Sequence, residues 1–293
     1  MVNRTGKYHF LTVMLFSVAL GLSQTPDIFR AEYMIMPEND AGAKLSRIKL
    51  VANWPITLRD SSNIIIGGEY NRLTYGLRRD GPPPEIEGLR HLHVADFNLA
   101  YVYRYNEFWR IIGVVTPRLS STLGQPLEKG DVSFNATAGV LKEKKHIDKP
   151  FRLVLGIAYN STVALRVPLP IVYYEKRFHE HWTYVVGAPK TALKYHFNEK
   201  HQLQAEFILD GYYVNLQNSI VIPGGGAATS ISSSAALGTF GYQYAIQKSA
   251  FVYLYGGHTL FQEGVLRNTD RDNILTLNDD GNFYFRAGFR IGL

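Results

Sequence analysis

Apolar and polar residues alternate with a period of two in segment after segment of the chain. That is the pattern of pleated strands whose two faces meet different surroundings. The last segment is the clearest: Phe283, Phe285, Ala287, Phe289, Ile291 and Leu293 share one face, while Tyr284, Arg286, Gly288, Arg290 and Gly292 share the other. Trp109, Ile111, Val115 and Leu119 likewise oppose Arg110, Thr116, Arg118 and Ser120. Phe97, Leu99, Tyr101, Tyr103 and Tyr105 oppose Asp96, Asn98 and Arg104. Ile48, Leu50, Ala52 and Trp54 oppose Arg47, Lys49 and Asn53, and Phe151, Leu153, Leu155 and Ile157 oppose Arg152 and Gly156. Read this way, strands fall near 28–36, 44–56, 63–76, 91–105, 108–119, 132–142, 151–162, 170–178, 182–188, 191–197, 201–216, 230–246, 250–264 and 282–293.

Alternation alone fits a soluble sandwich, with its apolar face inward, and a membrane barrel, with its apolar face toward lipid. Joint lengths separate the two. Asn106-Glu107, His179-Glu180-His181, Asn198-Glu199-Lys200 and Gln247-Lys248-Ser249 are tight, whereas 77–90, 120–131, 217–229 and 265–281 are long. With the strands counted in order, tight and long joints fall on opposite parity, as in outer-membrane barrels with short periplasmic turns and longer external loops. Aromatics crowd the tight turns, with Tyr103, Tyr105, Phe108 and Trp109 about one and Phe178 and Trp182 about another, where an interfacial girdle belongs. The expected fold is all-β, a single antiparallel transmembrane β-barrel of about 14 strands. It falls to 12 if the short pair flanking Pro189-Lys190 does not span, since a crossing takes roughly 9–11 residues.

Residues 1–23 carry the marks of a secretory signal peptide: Arg4 and Lys7, an apolar run from Phe10 to Leu22, and Gly21-Leu22-Ser23 before Gln24. The run is too short for a helical span, and no later stretch reaches 18 uninterrupted apolar residues. The domain reading is therefore a signal peptide over 1–23 and an outer-membrane barrel over 24–293. Composition agrees, with 19 Tyr and 16 Phe but only 4 Met, an inventory suited to half-buried strands. The absence of cysteine excludes disulfides, thiolate metal sites and cysteine nucleophiles. Net charge is +6, and loss of Arg4 and Lys7 would lower it to +4, with no basic stripe to receive nucleic acid.

Candidate chemistry is sparse. His91 and His93, and His179 and His181, are spaced i, i+2, but no third ligand is placed beside either pair. Ser230 to Ser234, beside Gly224-Gly225-Gly226, read as a flexible loop, and there is no G-x-S-x-G elbow. No nucleophile–base constellation emerges, so no enzyme, metal or cofactor is expected; a lipid hydrolase using His179 and His181 is the least favoured alternative. A charge on the lipid face would cost about 2–4 kcal/mol. Arg47, Lys49, Glu69, Asp96, Arg104, Arg110, Arg118, Arg152, Glu206, Asp210, Arg286 and Arg290 are therefore the expected lumen-facing set. Such a lumen is either an anion-preferring passage or an interior cross-braced by salt bridges and closed, in a barrel that acts through its external loops.

The C-terminal run from Arg286 to Leu293 resembles the assembly signal of bacterial outer-membrane barrels, with Arg286, Gly288, Ile291 and Leu293 at its characteristic positions. Leu293 stands where many such proteins end in Phe. Leu169-Pro170-Ile171-Val172-Tyr173-Tyr174-Glu175-Lys176-Arg177-Phe178, Trp182 and Val186-Gly187-Ala188-Pro189-Lys190 carry a second likeness. In them the mature chain is similar to the uncharacterised outer-membrane β-barrel family of Bacteroidetes-type bacteria. The resemblance implies a barrel in the outer membrane of a Gram-negative bacterium and no activity. Its surroundings would be outer-membrane lipid and lipopolysaccharide, the barrel-assembly machinery and, in the channel reading, a small solute. A passive channel or transport-type porin with an Arg-rich lumen is the leading expectation.

Overall fold

The computed structural model describes residues 27–58, 62–78, 89–161, 168–222, 224 and 226–292. The signal-peptide segment 1–23 and Leu293 lie outside the described residues, as does most of the 77–90 connection. The strands are β1 (Asp27–Met36), β2 (Ala43–Thr57), β3 (Ser62–Leu77), β4 (Leu92–Arg104), β5 (Trp109–Ser121), β6 (Val132–Lys144), β7 (Phe151–Asn160) and β8 (Leu169–Arg177). They continue with β9 (Trp182–Gly187), β10 (Lys190–His196), β11 (His201–Ile222), β12 (Gly226–Ala245), β13 (Ala250–Arg267), β14 (Asn273–Asn278) and β15 (Phe283–Gly292). Each barrel strand pairs antiparallel with its neighbours, β1 pairs β15, and β12–β13 pairing closes the ring. β14 pairs only the outer end of β13, so the wall has 14 strands and is a transmembrane β-barrel.

The faces are inverted relative to a soluble protein. Phe283, Leu254 and Ile157 point outward and are more than half exposed, whereas Glu206 and Lys49 are buried. On a lipid-facing surface that arrangement is the favourable one, because apolar side chains meet hydrocarbon and charges do not. Tyr103, Tyr105, Phe178 and Phe197 are exposed at the tight-turn end. There the Trp182 and Tyr195 ring centroids lie 4.8 Å apart and the Lys142 ammonium sits 4.9 Å from the Trp109 ring.

Two expected connections are not loops. The 217–229 stretch is the distal end of a long hairpin, because β11 runs to Ile222 and β12 starts at Gly226. Ile220 and Ile222 alternate and are buried, and burial of such β-branched side chains holds the segment extended. Ser230 to Ser234 belong to β12 and are buried rather than forming a loop. The 265–281 stretch likewise contains β14.

β11 is the unusual strand. Its pairing with β12 shifts register between Asn215 and Ile220. At Asn215 it pairs in parallel with Ser121 of β5, and Thr122 donates a 3.2 Å backbone hydrogen bond to the Asn215 carbonyl. Along the wall five strands separate β5 from β11 on one side and seven on the other. The upper part of β11 therefore leaves the wall and crosses the mouth. It can do so because β9 and β10, only 6 and 7 residues long, stop short beside it. β10 pairs β11 no farther than Ile208, and Leu209 N–H reaches the Pro189 carbonyl at 2.8 Å.

This crossing divides the outer half of the barrel. β11, β12, β13, β15 and β1–β5 enclose one part, filled by an apolar cluster that includes Met34, Leu73, Tyr75, Val214, Ile231 and Leu266. None of the cluster's members comes from β6–β10. Those strands form a crescent beside the filled part, with a small cluster of their own around Val154, Tyr173, Val185 and Ala192.

Candidate functional site

Below the apolar cluster the interior is ionic. Strand alternation places these charged residues on the inner face, and desolvation then demands a partner for each. Arg47 of β2 grips Asp210 of β11 through two hydrogen bonds of 3.0 and 2.8 Å, a bidentate link across the lumen. Lys49 pairs Glu69 at 2.8 Å, and Arg118 pairs Asp96 at 2.6 and 2.7 Å. Arg110 at 3.1 Å and Arg152 both hold Glu143. Arg286 of β15 reaches Glu206 of β11 at 2.8 Å, and Lys190 binds the other oxygen of the same carboxylate. Arg290 lies 3.6 Å from Asp27 and donates to Gln243 at 3.1 Å. Arg104 is exposed at the end of β4, outside this network.

Sequence reasoning missed several members of the network. Glu32 lies 3.8 Å from Arg286 and accepts a 2.8 Å hydrogen bond from the Tyr253 hydroxyl. Glu175 pairs Lys194 at 2.7 Å, and Arg30 pairs Asp27. The signal was present. On β1, Arg30 and Glu32 alternate with Phe29, Ala31 and Tyr33, and on β10, Lys190 and Lys194 alternate with Thr191, Leu193 and Tyr195.

Gly288 has a local role. A Cβ there would overlap the Tyr253 hydroxyl and the Ala31 carbonyl, so the glycine lets the Tyr253 ring lie across the closing strand and reach Glu32. Next to it the Arg286 guanidinium stacks 4.5 Å from the Tyr255 ring. Ile291 sits on β15 beside Ala250 of β13.

A cavity of about 330 Å³ runs through this network. Among the described residues eight cationic and five acidic side chains line it. Asp96 and Asp27, the partners of Arg118, Arg30 and Arg290, are absent from the lining, so the cavity presents the cationic side of those pairs. Its lining includes Ile208, Asp210 and Tyr212 from one face of β11 and Leu209, Gly211 and Tyr213 from the other. Both faces of one strand can border a single cavity only where it wraps the strand's unpaired edge. The cavity therefore passes around β11 into the crescent, where Asn160 and Pro189 also line it.

The crossing is fastened by the β5–β6 connection. Asp131 is fully buried at the end of a 3-10 turn, Lys129–Asp131. It accepts hydrogen bonds from Asn215 at 2.8 Å, from Gln217 at 2.6 Å and from the Glu128 backbone N–H at 2.9 Å. Burial works against its charge, yet the Glu128 N–H and the Asn215, Ser121 and Gln217 side chains hold the carboxyl below the usual carboxylate range.

The histidine pairs are peripheral. His93 accepts or donates a 2.7 Å hydrogen bond with the Tyr70 hydroxyl on the outward face, and His91 is exposed. The His179 and His181 rings lie 5.8 Å apart in their turn, with His181 Nδ1 2.8 Å from the His196 carbonyl. Among the described residues no group of three or more His, Asp or Glu is arranged to hold a metal ion.

A family model described as "Domain of unknown function (DUF6268)" matches residues 61–292. The chain belongs to that family. No curated protein matches it. Among solved structures, the NanC porin is similar at 10% identity, with a TM-score of 0.37 and coverage of 90% of this chain and 100% of that one. LpxR from Salmonella typhimurium is similar at 8% identity and a TM-score of 0.37, covering 90% of this chain and 100% of that one. The TodX deltaS2S3 mutant monoaromatic hydrocarbon channel is similar at 12% identity and a TM-score of 0.40, covering 96% and 94%.

Proposed function

We propose that this DUF6268 protein is a transport-type outer-membrane barrel whose narrow, cation-lined passage selects small anionic solutes. In this reading residues 1–23 export the chain to the outer membrane of a Gram-negative bacterium. The C-terminal strand, through Arg286, Gly288, Ile291 and Leu293, then presents the signal read by the barrel-assembly machinery, and outer-membrane lipid and lipopolysaccharide surround the wall. The observation that carries the functional reading is the cavity beside the crossing strand, where the described lining residues include eight cations and five acids. Cationic rings favour anions in a pore because each removes part of the cost of taking the solute's charge out of water. The filled nine-strand part leaves little room for free diffusion, which supports selective rather than general permeation.

Planar-bilayer recording on refolded protein tests this. Small conductance steps with a reversal potential shifted toward the anion's equilibrium value are expected in a salt gradient. Cation selectivity would overturn the proposal. A membrane-inserted protein that never conducts, with or without the crossing strand released, would favour the second reading, a plugged barrel that works through its external surface. That reading is supported by the apolar cluster across most of the mouth.

A further inference from the structure

We infer that the cavity is a saturable site for a small organic carboxylate with a compact apolar body, rather than a water-filled filter for inorganic anions. The inference rests on the anion-selective reading above and names the solute class. Three features carry it.

The first is the cationic excess of the lining. Among the described residues Arg118 and Arg290 border the cavity while their acidic partners Asp96 and Asp27 do not. A carboxylate entering the cavity offsets that excess without displacing an existing ion pair. A neutral solute would not neutralise the cationic excess, and an organic cation would be repelled by it.

Second, the nearby acids are already engaged. Glu206 is held by Lys190, Arg286, Gln204 and Thr239. Asp210 is held by both terminal nitrogens of Arg47. Both acids hold their cations in place through these contacts.

The third feature is the apolar part of the lining. Leu73, Val94, Val185, Ile208, Leu209 and Tyr284 line the same cavity. Chloride or formate gains nothing from such side chains and gives up hydration to approach them, whereas a ring or branched chain is stabilised by burying apolar surface against them. A volume of about 330 Å³ falls at the small end of the range of roughly 300–1,000 Å³ typical of ligand sites.

Calorimetric titration of the detergent-refolded full-length barrel with benzoate, formate, benzyl alcohol and benzylamine tests the assignment. Benzoate is expected to bind saturably and to block anion conductance, with the other three at least tenfold weaker. Leu209→Asn, one residue beyond the last β10 pairing of β11, is expected to weaken benzoate about tenfold while leaving formate unchanged. Arg290→Gln is expected to weaken benzoate by a similar factor, with folding of both variants checked by heat-modifiable gel migration. Equal affinity for formate and benzoate would overturn the organic-solute inference and keep the anion passage. Equal affinity for benzylamine would overturn both. Absence of binding by all four probes would overturn the inference, and the reversal potential would then decide the anion passage separately.

Discussion

The two parts that β11 separates are built from the same alternating strands yet solve burial in opposite ways. In the nine-strand part the inward positions near the mouth are Met, Leu, Ile, Val and Tyr, which fill the space as a protein core does. In the crescent, β8 to β10 place Glu175, Lys190 and Lys194 inward, with a cavity against them. An apolar interior needs only volume to be matched. An ionic interior needs each charge paired, and it stays hollow wherever the pairs lock their side chains before they meet. One wall thus combines a rigid fill with a polar hollow, and β11 is shared by both: Ile208, Val214 and Leu216 serve the fill, while Glu206 and Asp210 anchor the ions.

The sharpest way to break this division is to remove the anchor. Glu206→Leu leaves Lys190 and Arg286 facing each other without the carboxylate they share. Loss of one member of a buried ion pair costs about 3–5 kcal/mol. Urea unfolding in lipid vesicles should show a loss of that size, and the reversal potential should shift further toward the anion. Leu266→Ala, in the fill, should cost about 2–5 kcal/mol through the cavity it leaves, with no change in selectivity. If both variants changed selectivity alike, the two parts would not be functionally distinct.

The two parts of the barrel are not equally legible in the sequence. Period-two alternation located all 14 wall strands, even the short β9 and β10, because alternation reports only that the two faces meet different media. It also put Arg47, Asp96, Arg118 and Arg286 on one face of their strands. Which charge meets which was not legible, since Arg47 and Asp210 are brought together by barrel closure over a separation of 163 residues. The crossing of β11 was illegible for another reason. Ser230 to Ser234, beside the expected 217–229 connection, read as a flexible loop, yet short side chains also suit a buried strand in a narrow mouth, and composition does not separate the two.

A smaller effect sharpens the closing seam between the parts. Gly288→Ala places a methyl group against Tyr253, so the ring must leave its position over β15 and release Glu32. Overpacking of this kind costs about 1–3 kcal/mol. Tyr253→Leu in the same chain should recover most of the loss by removing the ring, and recovery would show in the unfolding midpoint. A double variant no more stable than Gly288→Ala would mean that the glycine serves the backbone rather than the tyrosine.

The smallest effect expected on stability bears directly on how firmly β11 is tied down. Asp131 fastens the crossing from outside the membrane-spanning strands, and its carboxyl is held below the usual range by burial-opposed hydrogen bonds from Glu128, Asn215 and Gln217. A carboxyl depressed in the folded state stabilises the fold fully above its unfolded value, about 3.9. That contribution declines as pH falls past that value and is gone below the folded one. Hydrogen exchange at Thr122 and Gln217 should therefore stay slow at pH 5 and quicken at lower pH, while exchange in β1 and β2 stays unchanged. Asp131→Asn should give the fast exchange at every pH, at a cost of about 1–2 kcal/mol confined to the crossing. It should also raise the frequency of conductance openings, because the same hydrogen bonds keep β11 across the mouth. Exchange that quickened equally throughout the barrel would show that Asp131 supports the whole fold instead of fastening one strand.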